Sequence, residues 1–403
     1  MTIKRRIFLI TALFYIVYLV FPLFSAAFNI PVWLPSIAVV AIVVYLYPKA
    51  FANKTFYWFL AYAVVLGLYV VVGKPLTIGI GKVADSKKIF IEFAYILPVI
   101  SIFSVICYLD DIEVTRRLVK WSVIMLFASF VIAVPLMLRF NSLREALKQQ
   151  DEILIVPGLP SYSLMHAYTL FLPMLCYGTK ALHGRKKWLA LIGLLVLCFV
   201  VYDTFVATSL IIMILMLVFT IFYSEKSNTF FFIIVGVLAI IAYILYKVGA
   251  FITLIDWMMP AFEGTPVEFK LNDFKSSMLQ GQVTGGSITG RQNLHAISWN
   301  SFFHNPIFGT SVVGGHSSLM DRFGGMGMVA GIPFLMIIIS YIRQAAKYYQ
   351  TRMAKTFYWV GIVVGMVFLY MKGNWGGEAW LVFMVLMPMG IRDYESKAIG
   401  DLE

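Results

Sequence analysis

Length, composition and charge define the class of protein. The chain has 403 residues, of which 61% are apolar and only 13% are charged, whereas soluble domains are about 45–50% apolar and about 25% charged. This composition excludes disordered, collagen-like, disulfide-rich and soluble globular proteins. The formal net charge of +12 suits the Lys and Arg excess of cytoplasmic loops in a membrane protein, so no nucleic-acid partner is expected.

Apolar stretches that approach the roughly 20 residues needed to cross a bilayer recur along the chain. The expected spans are 7–27, 32–47, 56–73, 89–109, 118–138, 162–179, 188–203, 207–223, 229–249, 323–342, 356–371 and 376–391. The predicted fold class is all-α, a polytopic membrane protein of about 12 transmembrane helices with one long extracytoplasmic loop that carries short helices. The predicted divisions are an N-terminal bundle of about nine spans over 1–249, the outer loop over 250–322, and a final group of about three spans with a tail over 323–403.

The placement of Lys and Arg predicts the orientation in the membrane. With the N-terminus inside, the inner loops hold 19 of the 32 Lys and Arg residues, most densely at 185–187 and 343–355. Both termini are then cytoplasmic, and two polar stretches, 139–161 and 250–322, face outward. The first begins with an amphipathic pattern that is typical of a membrane-surface helix.

The second half of the long outer loop has a distinctive order of residues. It contains Arg291, Trp299, Asn305-Pro306, Gly309, Gly314-Gly315-His316-Ser317 and Asp321. The pattern predicts a short helix from Arg291 to Trp299 that ends before Asn305, and a glycine-punctuated turn from Gly309 to Gly315. Ser317 or Ser318 can then cap the helix that follows.

This order of residues, placed before the last three predicted spans, resembles the O-antigen polymerase and O-antigen ligase superfamily. The resemblance covers the whole topology, and its sharp motif covers residues 289–331. It implies that His316 is the general base and that Arg291 holds the pyrophosphate of an undecaprenyl-linked glycan donor. The chain departs from the family at Leu210, where a second phosphate-binding arginine is common, and we expect Arg139 or Arg144 to replace it.

Three further residues are expected to contact substrate. His295 lies one helical turn after Arg291, His166 is a polar group within a predicted span, and Arg322 lies at the membrane edge. Each has a structural alternative, such as a hydrogen bond within the fold or a contact with a lipid headgroup. The sequence has no Walker loop, Asp-x-Asp motif or metal-ligand spacing, so neither a metal nor a cofactor is expected.

The resemblance implies a polymerase that joins undecaprenyl-pyrophosphate-linked oligosaccharide repeat units into O-antigen or capsular polysaccharide on the periplasmic face of the bacterial inner membrane. Two alternatives stay open, a ligase that transfers polysaccharide to lipid A–core and a non-catalytic polysaccharide transporter. The Gly-Gly-His-Ser motif with its trailing Asp321 favours the polymerase, whereas the lack of repeat-related broken spans counts against a transporter. Expected partners are the lipid-linked oligosaccharide, membrane lipids and, as a further option, a chain-length regulator protein.

Overall fold

The structure of the chain is built almost entirely from helices. The computed structural model describes residues 1–21, 30–72, 77–78, 82–83, 86–140, 161–204, 206–224, 244, 249–263, 268, 271–272, 275–276, 287–373 and 375–400. Within the described residues, the first eight helices are α1 Ile3–Val20, α2 Trp33–Leu46, α3 Lys54–Val71, α4 Ser86–Leu109, α5 Ile112–Phe140, α6 Tyr162–Ala181, α7 Gly184–Asp203 and α8 Ala207–Phe222.

The C-terminal half continues the helical pattern with shorter and interrupted elements. It contains α9 Ala250–Met258, α10 Ser287–His304, α11 Met320–Ala345, α12 Arg352–Met371, α13 Gly377–Leu381 and α14 Met387–Gly400. A π-helical turn, Val382–Leu386, joins α13 to α14. Short 3-10 helices lie at Pro48–Phe51, Met259–Phe262 and Ala346–Tyr348.

Several helices are apolar enough to cross a membrane, as the composition predicts. By length and hydropathy, three segments of the described residues qualify as spans: Lys54–Val71, Met320–Tyr348 and Arg352–Met371. Shorter apolar helices lie at Trp33–Leu46, Phe93–Leu109, Thr208–Phe222 and Ile252–Phe262. A helix covers at least part of every predicted span except 229–249, most of which lies outside the described residues.

Helix α6 lies at the centre of the bundle. Every residue from Ser163 to Thr179 is buried, and α6 packs against α7, α8, α12, α13 and α14. A helix that is enclosed all round needs no polar face, yet α6 includes His166, Ser163 and Thr169. The most enclosed helix of the bundle therefore contains polar side chains near its first turns.

One end of the bundle, here the termini end, contains the start of α1, part of α14 and a set of ion pairs. Arg5 at the start of α1 pairs with Asp111 at 2.6 Å between N and O atoms. Asp393 of α14 accepts from Arg116 of α5 at 3.1 Å, and Arg392 pairs with Asp110 at 2.6 Å. These contacts join the first helix, the α4–α5 junction and the last helix at a single end.

The opposite end, here the loop end, contains the helix junctions that surround the outer-loop motif. A small sheet lies there, in which β1 (Thr77–Ile78) pairs antiparallel with β2 (Lys82–Val83) and parallel with β3 (Val312–Val313). The hydroxyl of Tyr69, near the end of α3, donates to the carbonyl of Phe308 at 2.5 Å. The α3–α4 connection and the outer loop therefore meet at this end.

Helix α11 is interrupted close to the loop end. Gly327 has a φ of 64° and a ψ of −163°, which is not helical. The amides of Met328 and Val329 donate instead to the carbonyls of Pro306 and Ile307 at 2.7 and 3.2 Å. Gly324, Gly327 and Gly331 recur at a spacing that favours close helix packing, and Gly327 in addition breaks the helix, because glycine alone adopts this φ without strain.

Candidate functional site

The turn that contains His316 is fixed by one carboxylate and one hydroxyl. Asp321, in the first turn of α11, accepts from the Ser298 hydroxyl at 2.6 Å and from the Ser317 amide at 3.2 Å. The Ser298 hydroxyl in turn accepts from the Gly314 amide at 2.9 Å. The prediction that Ser317 or Ser318 is the N-cap is wrong, since the N-cap of α11 is Leu319; the Ser317 hydroxyl instead accepts from the Met320 amide at 3.0 Å, two residues before the cap position. Both flanks of His316 are thus held, while its side chain is exposed.

Close backbone packing holds the same turn against α10. A β-carbon on Gly314 would lie 1.9 Å from the Leu294 carbonyl oxygen, and one on Gly324 would lie 2.5 Å from the Ser298 carbonyl oxygen. The predicted helix after Arg291 is present as α10, and it ends at His304, directly before Asn305. Glycine is required at these positions because the helix and the turn touch through their main chains.

The C-terminal end of α12 forms the other wall of the site. The amides of Ser318 and Leu319 donate to the carbonyls of Lys372 and Leu369 at 2.9 and 3.0 Å. The Ser318 hydroxyl donates to the Gly373 carbonyl at 3.0 Å. A β-carbon on Gly373 would lie 3.1 Å from the α-carbon of His316. The turn that contains His316 is therefore seated directly on the end of α12.

Two more of the expected histidines contact this same end of α12. The His295 ring stacks on Tyr370, with centroids 5.3 Å apart and an interplanar angle of 23°. The His166 ring lies 5.1 Å from the ring of Phe368, and His166 is only 3% exposed. Its Nδ1 atom has no hydrogen-bond partner among the described residues. His166, His295 and His316, which are distant in sequence, are thus gathered around residues 368–373.

Arg322 faces inward. Its side chain is 6% exposed, its Nε donates to the Tyr62 hydroxyl at 2.9 Å, and another guanidinium nitrogen donates to the Ser318 carbonyl. The guanidinium also lies 4.0 Å from the ring centroid of Phe334. These contacts join α3 to the start of α11, directly behind the turn that contains His316.

The structure does not describe the side chains of Arg291, Arg139 and Arg144, the three arginines that are expected to bind phosphate. Arg291 lies in α10, one turn before His295, but its side chain is outside the described part. Arg139 lies in the last turn of α5, so the helix that begins at Ile112 continues through it, and its side chain is also outside the described part. Arg144 lies outside the described residues.

A polar cluster that was not predicted from the sequence lies beside these histidines. Glu378, in α13, accepts from the Ser161 hydroxyl at 2.9 Å, and the Ser163 hydroxyl accepts from the Gly376 amide at 2.9 Å. Lys372 lies on the same α12–α13 connection, within electrostatic range of His166. The sequence contains one sign of this cluster, the acidic residue Glu378 within the predicted span 376–391. An acidic residue within a membrane span usually marks a functional site.

The function of this site is inferred from its own chemistry. No protein-family model matches the chain, and no curated protein matches it. Within the described residues, no group of three or more His, Cys, Asp or Glu side chains is placed to hold a metal ion.

Proposed function

We propose that the protein is a polymerase of lipid-linked oligosaccharide repeat units, with about 12 membrane spans. In this proposal it lies in the bacterial inner membrane, with the termini end in the cytoplasm and the loop end in the periplasm. The donor is an undecaprenyl-pyrophosphate-linked oligosaccharide, and the product is O-antigen or capsular polysaccharide. Two features support this orientation. Ion pairs join the first and last helices to the α4–α5 region at one end, and the outer-loop motif lies at the other end.

The observation on which the proposal chiefly rests is the support of His316. A general base must be exposed to substrate and held in place, and His316 is exposed on a turn whose two flanks are hydrogen-bonded through Asp321 and Ser298. An imidazole titrates near neutral pH, which suits proton abstraction from a sugar hydroxyl. The gathering of His166 and His295 around the same end of α12 adds support for a polar substrate site.

The proposed reaction needs only a base and cations. His316 takes the proton of an acceptor hydroxyl, whose oxygen attacks the anomeric carbon of the donor glycan. The bond from that carbon to the phosphate oxygen breaks, and undecaprenyl pyrophosphate leaves with the electron pair. Arg291 balances its charge through paired N–H donors, together with Arg139 or Arg144. In this scheme His295, His166 and Arg322 contact or support the bound glycan.

The experiment that tests the cation role uses purified protein and purified lipid-linked repeat units. Arg291→Lys keeps the positive charge but loses the paired donor geometry, so we expect a rate roughly ten- to hundredfold below wild type, in keeping with about 1.5–3 kcal/mol for one charged hydrogen bond. Wild-type activity should persist in EDTA. An Arg291→Lys variant as fast as wild type, or loss of wild-type activity on chelation, would contradict the proposal.

The transporter alternative is favoured by one observation, the interruption of α11 at Gly327. Discontinuous helices are common at the substrate sites of transporters. The phenotype of a deletion strain distinguishes the functions. Loss of a polymerase leaves a single repeat unit on the lipid A–core, whereas loss of either a ligase or an exporter of the repeat units leaves the core bare. Transfer by the purified protein then distinguishes an enzyme from a transporter.

A further inference from the structure

A second polar site lies beside the turn that contains His316, at a place here named the Glu378 junction, which comprises residues 161–166, 372–373 and 375–380. The Ser161 hydroxyl donates to one oxygen of the Glu378 carboxylate at 2.9 Å. A β-carbon on Gly376 would lie 2.6 Å from the other carboxylate oxygen and 2.8 Å from the Ser163 hydroxyl oxygen, so these two atoms border the same main chain. The Ser163 hydroxyl accepts from the Gly376 amide at 2.9 Å and from the Ala379 amide at 3.4 Å. These bonds hold the carboxylate in one orientation.

The residue that carries this carboxylate is not fully enclosed. Glu378 and Gly376 are partly exposed, and an ionised carboxylate can accept about four hydrogen bonds. Acidic side chains within a bundle of apolar helices are costly and usually mark a functional site. No described basic residue forms an ion pair with this carboxylate.

Three buried groups at the junction bear on the chemistry of a ligand. The Nδ1 atom of His166 and the Nε1 atoms of Trp375 and Trp380 have no hydrogen-bond partner among the described residues, and their side chains are 3%, 5% and 1% exposed. An indole N–H can only donate, whereas a carboxylate can only accept. A cation cannot accept from the indole, and an anion cannot donate to the carboxylate. A hydroxyl group can do both.

The junction is continuous with the turn that contains His316. The Gly373 main chain packs on that turn, since its carbonyl accepts from the Ser318 hydroxyl at 3.0 Å. Gly373 and Glu378 are five residues apart, so they are at most about 18 Å apart. A glycan chain whose terminal hydroxyl lies at His316 can extend its next sugars toward Glu378.

We infer that the Glu378 junction binds the hydroxyl groups of the acceptor glycan, through the Glu378 carboxylate that Ser161 orients. This inference rests on the proposed function and assigns a residue that determines how the acceptor binds. Sugar hydroxyls and water share the chemistry that the junction requires, and a binding measurement with a saccharide distinguishes the two.

The test is equilibrium binding of a water-soluble saccharide to the full-length protein in detergent. The probe is the oligosaccharide released by mild acid from the producing strain's own surface polysaccharide. Glu378→Gln keeps the shape of the side chain but replaces one acceptor oxygen by a donor, so we expect the Kd to rise about tenfold, which corresponds to about 1.4 kcal/mol. The matched control is Glu113→Gln, at the termini end, where the acid pairs with Arg117; its Kd should equal that of wild type.

Equal Kd values for wild type and Glu378→Gln, or no binding to wild type, would overturn the inference and leave water as the partner of the junction. If Glu378→Gln does not fold, Glu378→Asp serves the same test, because its shorter carboxylate cannot reach the same hydroxyl. Binding that depends on Glu378 in a protein without transfer activity would refute the proposed function alone. Transfer that depends on His316, with unchanged binding in Glu378→Gln, would refute the inference alone.

Discussion

At the scale of single residues, the role of Asp321 is to hold the main chain around His316. Its two oxygens accept from Ser298 and Ser317, which lie on different elements. An aspartate in this position can hold α10, the turn and α11 together, because an ionised carboxylate accepts several hydrogen bonds at once. A positioning residue of this kind affects the reaction without contact with the reacting atoms.

We therefore predict that Asp321→Asn lowers the turnover rate roughly ten- to hundredfold while the KM for the donor changes little. Asparagine has one acceptor oxygen in place of two, so it cannot accept from both Ser298 and Ser317, and a lost hydrogen bond to a charged group costs about 1.5–3 kcal/mol. Initial rates measured against donor concentration check this. The control is Asp256→Asn, which breaks an ion pair with Lys275 away from the turn and should change neither parameter. A rise in donor KM with an unchanged turnover rate would contradict the positioning role.

At the scale of elements, the contact between α10 and the turn depends on main-chain packing without a side chain between them. A β-carbon at Gly314 would lie 1.9 Å from the Leu294 carbonyl oxygen, and neither main chain can retreat while Ser298 holds the Gly314 amide. The same close main-chain packing occurs at Gly309, which packs against the main chain of α11.

We predict that Gly314→Ala destabilises the folded protein by about 1–3 kcal/mol, the usual cost of overpacking. The measurement is the thermal unfolding midpoint of the purified protein in detergent, which should fall. Gly67→Ala is the matched control, since a β-carbon on Gly67 of α3 meets nothing within 4 Å and alanine favours helix over glycine. An unchanged midpoint in Gly314→Ala would show that the turn is not packed as described.

Helices could be predicted from the sequence where local residue patterns determine them. Long apolar stretches locate the helices, and the interval between Arg291 and Asn305 predicts α10, because hydropathy and helix stop signals act over a few residues. The break at Gly327 was not predictable, since its glycine spacing suits both close packing and a kink. The Glu378 junction was missed because Ser161, its partner, is 217 residues away in sequence.

At the scale of the whole molecule, the two ends of the bundle differ in chemistry. The termini end contains ion pairs between Arg5, Arg116 and Arg392 and the acids of the α4–α5 junction and α14. The loop end contains the gathered histidines and the small sheet. On the positive-inside rule, we propose that the termini end lies in the cytoplasm.

This orientation predicts the outcome of cysteine labelling in intact spheroplasts with a membrane-impermeant reagent. In a background where Cys107, Cys176 and Cys198 are replaced by alanine, Asn300→Cys in α10 should be labelled without lysis. Arg185→Cys, at the start of α7, should be labelled only after lysis. Both positions are exposed, so burial does not prevent either reaction. The reverse pattern would place the turn that contains His316 in the cytoplasm and remove the proposed site.

The central claim is that His316 is the base for glycosyl transfer at the loop end. It is tested most directly by polymerisation of purified lipid-linked repeat units by His316→Ala, with His304→Ala as the matched control. His304 is also an exposed histidine of the outer loop, at the end of α10. We predict a product ladder of wild-type length from His304→Ala, and a rate reduced about 10²–10⁴-fold in His316→Ala, as loss of a general base requires. A wild-type ladder from His316→Ala would contradict the account.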